Sequence, residues 1–222
     1  MDLRRKIAAE FLGTAGLLAV VVGSGIMGER LSPGNAGVTL LANSIATAAG
    51  LIFLIYGFGH ISGAHFNPAI TLVETVSGRQ GIREGLVFIA AQVSGAFAGV
   101  AAANVMFDLP PWFASVKVRG GIGQLLGEFI ATFGLIGVVR LGVRYEPKLI
   151  GLLVASYITA AYWFTSSTSF ANPAVTLARS ASDTFTGIAP ASVAGFVAAQ
   201  FFGAVTAMLF FNWMVRKDEE IS

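Results

Sequence analysis

Residues 60–72 read HISGAHFNPAITL, and residues 165–177 read TSSTSFANPAVTL. An Asn-Pro-Ala triplet therefore occurs twice, as Asn67-Pro68-Ala69 and as Asn172-Pro173-Ala174. Asparagine is a favoured helix N-cap. Proline suits the first helical position, where its missing N–H would have had no partner. From Asn67 to Ser77, or from Asn172 to Ser182, is ten residues. At ~1.5 Å per residue that is ~15 Å, half of a ~30 Å hydrocarbon core. Both motifs are thus expected to open half-helices. The stretches leading in, GFGHISGAHF and FTSSTSF, are expected to be irregular. Such backbone is tolerated at membrane depth only where it lines a cavity or is buried in protein.

The surrounding chain is apolar enough to require a membrane. Hydrophobic residues make up 55% of the 222 and charged residues 12%, about half the charge of an ordinary soluble domain. The blocks 7–27, 38–58, 86–107, 122–139, 149–164 and 191–215 contain only two charges, Glu10 and Glu128. Each suits a span of roughly 17–25 residues, and 149–164 must borrow residues at its ends. With the N-terminus inside, the inner segments hold Arg4, Arg5, Lys6, Arg79, Arg83, Arg140, Arg144, Lys148, Arg216 and Lys217. The outer segments hold Arg30, Lys117, Arg119 and Arg179. This bias predicts an even number of spans with both termini cytoplasmic, and the expected location is the cell inner (plasma) membrane. The absence of cysteine excludes disulfides and thiolate metal sites, and no basic patch points to nucleic acid. No nucleophile triad, HExxH or phosphate loop is present, so no enzyme activity, cofactor or metal is expected.

The chain also repeats itself. AAEFLGTAGLL at 8–18 matches LGEFIATFGLI at 126–136, pairing Glu10 with Glu128. NPAITL matches NPAVTL. AAQVSGA at 90–96 matches AAQFFGA at 198–204, pairing Gln92 with Gln200. One domain, 1–222, is therefore expected to hold repeat 1 at about 7–107 and repeat 2 at about 122–215. Three spans per half make the repeats inverted, a design that places the site at mid-membrane between them. The two half-helices then point their positive N-termini at each other across a lumen, a barrier to cations. If each asparagine oxygen caps its own helix, its NH2 is left facing the lumen.

SGAHFNPA, AEFLGT, the paired AAQ..GA motifs and the second Asn-Pro-Ala resemble the major intrinsic protein family, the aquaporins and aquaglyceroporins, over about residues 7–215. The resemblance implies an all-α fold of six tilted spans plus two re-entrant half-helices, and a homotetramer in the lipid bilayer with one pore per subunit. It also implies that Glu10 and Glu128 accept hydrogen bonds from the loops before the half-helices; a proton-relay role is the alternative. His60 and His65 are expected to brace the first loop.

The sequence departs from the family at one telling place. Most members follow the second motif with arginine, a member of a four-residue filter; this chain has Val175. Counting from the asparagines, the other filter positions are Thr47, Ala160 and Ser169. A quartet with neither ring nor charge should open the pore to polyols, urea and neutral arsenic or antimony hydroxides as well as water. Arg179, four residues after Val175, is a candidate vestibule residue, or else pairs with Asp183 or snorkels to the headgroups. Glu74 is its inverted counterpart. The aromatic residues Phe53, Tyr56, Tyr162 and Trp163 are candidates for pore lining, with most of them expected to serve as packing or interfacial groups. The expected function is a passive channel for small neutral solutes. An ordinary water or glycerol facilitator is the alternative, followed by a proton-coupled transporter using Glu10 and Glu128.

Overall fold

A computed structural model describes residues 1–215. Arg216 and Lys217, counted above toward the inner charge, lie outside the described residues. Eight α-helices follow in order: α1 Leu3–Leu31, α2 Ala36–Ser62, α3 Pro68–Val76, α4 Ile82–Met106, α5 Ile122–Tyr145, α6 Ile150–Phe164, α7 Pro173–Arg179 and α8 Pro190–Met214. Six are long and apolar enough to cross a bilayer. The fifth reaches that length because a 3₁₀ turn, Pro147–Leu149, extends α6 at its N-terminal end. The other two, α3 with 9 residues and α7 with 7, are the half-helices.

The two halves are built alike. Helix α1 packs on α4 and α2, and α5 packs on α8 and α6. Neither pair gains a hydrophobic driving force in lipid, so close van der Waals contact must hold them. Glycine makes this possible. A Cβ added at Gly95 on α4 would meet the carbonyl oxygen of Phe11 on α1, and one at Gly203 on α8 would meet that of Phe129 on α5. The backbones touch at matching places in the two repeats. Each half-helix then wedges between the halves: α3 packs on α4 and α8, and α7 packs on α8 and α4.

The entries to the half-helices differ from the sequence expectation in one respect. Residues 57–62 belong to α2, which ends only where Gly63 takes a left-handed conformation at φ 92° and donates its N–H to Gly59. The irregular stretch is therefore 63–67, shorter than GFGHISGAHF. In the second repeat α6 stops at Phe164, and residues 165–172 are irregular throughout. Helix α7 also ends before Ser182, at Arg179.

Candidate functional site

Both half-helices begin as the motif dictates. The Asn67 side-chain oxygen accepts from Ala69 N at 2.9 Å, and that of Asn172 accepts from Ala174 N at 3.0 Å and Val175 N at 3.3 Å. Pro68 and Pro173 occupy the first helical positions. The side-chain nitrogens do more than face a lumen. Asn67 Nδ2 donates to Ala171 O at 2.8 Å, and Asn172 Nδ2 donates to Phe66 O at 2.8 Å. Each NH2 thus spends one hydrogen tying its own motif to the other repeat's loop, because the preceding carbonyl turns toward it. One N–H per asparagine is left for a solute.

Those carbonyls turn because the loops alternate in handedness. Ala64, Phe66, Ser169 and Ala171 all have φ between 47° and 52°. They stand three and one residues before the two asparagines. Such conformations cost about 1–3 kcal/mol each in non-glycine residues and persist only where the surroundings fix them. Glu10 fixes the first loop, accepting from Ser62 Oγ at 2.6 Å, His65 N at 3.0 Å, Phe66 N at 2.8 Å and Gln92 Nε2 at 2.8 Å. Glu128 fixes the second, accepting from Phe170 N and Ala171 N at 2.9 Å and from Gln200 Nε2 at 2.6 Å. Both carboxylates are fully buried. Gln92 and Gln200 also donate at 2.8 Å to Thr71 and Thr176 on the half-helices. The repeat match had marked the two glutamines without showing this role.

The two histidines part company. His65 Nδ1 lies 3.0 Å from Thr71 Oγ1, so its ring joins the brace. His60 does not. It stands exposed on the last turn of α2 and lines the cavity mouth, because the helix continues through it instead of unwinding.

A cavity of about 990 Å³ runs between the halves. At the end near the N-terminus it is lined by His60, Glu74, Arg79, Arg140, Arg144 and Lys148. Glu74 is held there by Arg79, at 2.6 and 2.7 Å. Asn67 and Asn172 line the middle, and Thr47, Tyr162, Ser169, Phe170, Val175 and Arg179 the far end. Leu17, Val21, Leu51, Leu135 and Val154 supply apolar wall. Glu10 and Glu128 do not reach the cavity surface.

Of the counted quartet, Thr47, Ser169 and Val175 line this cavity and Ala160 does not. Ala160 is exposed on the outer side of α6, whereas Val154, Ile158 and Tyr162, spaced four residues apart, share the cavity side. The gapless count carries no information on which face of α6 turns to the cavity, and Ala160 lies on the other face. Tyr162 lines the cavity near Thr47, buried, with its hydroxyl 3.1 Å from Thr47 Oγ1. Of the aromatics expected to pack, Tyr162 and Tyr56 line the cavity.

Arg179 is buried and also lines the cavity. Its Nε donates to Thr186 O, and its guanidinium carbon lies 3.4 Å from the Phe170 ring centre. It does not pair with Asp183, which accepts instead from Ser115 Oγ at 3.2 Å and Val116 N at 3.0 Å. These contacts belong to the connection between α4 and α5, which folds back over this mouth. There Arg119 Nε donates to Gly187 O at 2.8 Å, and the Arg119 guanidinium carbon lies 5.0 Å from the same Phe170 ring. Burial lowers the Arg119 pKa to about 10, against support from Glu128, so it stays charged at neutral pH.

Comparison with known proteins agrees with this architecture. The family model described as Major intrinsic protein matches residues 1–161. The chain is 51% identical over 220 residues to Aquaglyceroporin AqpS of Rhizobium meliloti (strain 1021), covering 99% of this chain and 94% of that protein. It is 32% identical to Aquaporin NIP1-3 of Oryza sativa subsp. japonica, covering 100% of this chain and 77% of that one. The fold is similar to that of the aquaglyceroporin from Plasmodium falciparum, with a TM-score of 0.71 over 95% of this chain and 96% of that one at 20% identity. With paired motifs, a symmetric glutamate brace and a family match over well more than half its length, this chain belongs to the major intrinsic protein family.

Proposed function

We propose that the protein is a passive channel for small uncharged solutes, with a far-end filter wide enough for polyols, urea and the neutral hydroxides of arsenic and antimony. The observation that carries this reading is the cavity lining. One strip of polar groups, Asn67, Asn172, Ser169 and Thr47, faces apolar wall from Leu17, Val21, Leu51, Leu135 and Val154, between two charged mouths. Between the charged mouths, a strip of that kind replaces part of a neutral solute's hydration without a counter-charge at mid-pore. The filter is Thr47, Tyr162, Ser169 and Val175. Valine stands where most family members carry arginine, so no guanidinium crosses the constriction from that position. The similarity to AqpS, an aquaglyceroporin by name, supports the same solute class. We place the protein in the plasma membrane as a homotetramer with both termini cytoplasmic, on the family resemblance and the inner excess of Lys and Arg.

A second reading, an ordinary water or glycerol facilitator, is favoured by the Tyr162 ring and by the Arg179 guanidinium beside the filter. Proton-coupled transport through Glu10 and Glu128 is disfavoured. Both are buried away from the cavity, and their oxygens are occupied by loop amides. Arsenous acid uptake into proteoliposomes, with and without an imposed pH gradient, separates the readings. Passive uptake indifferent to the gradient supports the wide channel. Exclusion of arsenous acid with passage of water and glycerol supports the facilitator, and gradient-driven saturable uptake would revive the transporter.

A further inference from the structure

The far mouth carries more positive charge than a neutral solute requires. Arg179 and Arg119 both lie against the ring of Phe170. Lys117 stands on the same folded-back connection, with its Nζ donating to Phe185 O at 2.7 Å. Among the described residues none of the three is in a salt bridge; the two that form are Lys6–Glu84 and Arg79–Glu74, both elsewhere. Of the nearby carboxylates, Asp183 is engaged by Ser115 and Val116 and Glu128 by the loop amides, while Glu29 acts on Lys117 without forming a salt bridge.

The donors at this mouth are unevenly used. Arg119 spends its nitrogens on backbone carbonyls: Gly187 O at 2.8 Å, with longer approaches to Ser167 O and Phe185 O at 3.5 Å. Arg179 spends only Nε, on Thr186 O. Among the described residues its two terminal nitrogens meet no acceptor, and the side chain borders the cavity. Ser169 lines the same cavity, and its Oγ, buried just behind that surface, has no hydrogen-bond partner. A guanidinium fork with both prongs open, lining the same cavity as a residue with an unpartnered hydroxyl and under the field of two further cations, matches a small planar oxyanion. A buried hydroxyl without a partner costs free energy, which such a ligand would recover.

We propose that Arg179 and Ser169 form a binding subsite for a small monovalent oxyanion at the far mouth, with Arg119 and Lys117 raising its occupancy through their charge. The anion takes the open terminal nitrogens of Arg179 and the Ser169 hydroxyl. Its seat lies in the solute path, so its binding competes with neutral solutes. The proposal depends on the lining of the cavity and not on which neutral solute the channel conducts.

Formate is the probe, and its binding to the purified full-length protein is read by ligand NMR line broadening of ¹³C-formate, with sodium chloride at equal ionic strength as the control. Saturable broadening is expected, displaced by unlabelled nitrate. Arg179→Gln should weaken it by more than about tenfold, equivalent to ~1.4 kcal/mol. Ser169→Ala and Arg119→Gln should weaken it by smaller factors, about threefold each. Lys148→Gln, at the opposite mouth, should leave it unchanged. Because Arg179 is buried, its variant is accepted only if it elutes as wild type on gel filtration. Where it does not fold, Ser169→Ala and Arg119→Gln decide. Broadening absent in the wild type, or equal in wild type and in these variants, would overturn the proposal. This readout is independent of flux, so an inactive channel that still binds formate leaves the subsite standing and removes only the transport reading.

Discussion

Replacing Glu128 by glutamine exchanges one heavy atom and should dismantle the second loop. The carboxylate accepts three charge-assisted hydrogen bonds, from Phe170 N, Ala171 N and Gln200 Nε2. Bonds of that kind contribute about 1.5–3 kcal/mol each, and an unmade buried donor costs ~1–3 kcal/mol. Glutamine keeps one oxygen but turns an NH2 toward a donor, so at least one bond is lost and two donors are set against each other. The estimated loss is about 3–5 kcal/mol. The left-handed conformations of Thr168, Ser169 and Ala171 then lose the clamp that fixes them. For a chain of this size about 4 kcal/mol corresponds to a fall in Tm on the order of 10 °C. Thermal unfolding of detergent-solubilised protein and glycerol flux from proteoliposomes should fall together, at every pH tested. A variant with wild-type Tm whose flux had merely lost a dependence on pH would refute the structural role and point to a proton carrier.

Val175→Arg restores a guanidinium at the constriction. Glycerol and arsenous acid flux should fall at least tenfold in stopped-flow measurements, while water flux persists. Tyr162→Phe removes the contact with Thr47 at a cost of about 1 kcal/mol; polyol permeability should change by less than about threefold, since the ring still defines the edge of the opening. Gly95→Leu forces a side chain onto the Phe11 carbonyl and should cost more than the ~1–3 kcal/mol of ordinary overpacking, because backbone cannot move aside as a side chain can. Gly57→Ala, where a Cβ meets open space, is the matched control and should leave the thermal midpoint unmoved.

The parts legible in the sequence were those set by local chemistry or by repetition. Asn67-Pro68 and Asn172-Pro173 announce helix starts by themselves, and the spacing of the repeats makes those helices half-length and opposed. Chain-specific geometry was harder to read. Gly63 ends α2 later than the composition of the preceding stretch suggests, which leaves His60 on a helix. Ala160 was placed by counting back from Asn172, and a count carries no information about where α6 turns its faces; four-residue spacing from Val154 through Ile158 would have led to Tyr162. The crossed bonds from each asparagine to the other loop are contacts between residues more than a hundred positions apart, which no local pattern records. Arg119 was visible only as a loop charge. Its approach to Phe170 depends on how the α4–α5 connection folds back, through bonds such as Ser115 N to Ser180 O.

The central claim is that the far-end opening, walled by Thr47, Tyr162, Ser169 and Val175, is wider than a single water. Stopped-flow permeability of reconstituted protein to a graded series, water, urea, glycerol, erythritol and xylitol, measures that width directly. The account predicts ready passage through glycerol and a steep fall within the larger polyols. Passage of water with urea and glycerol both excluded would contradict it.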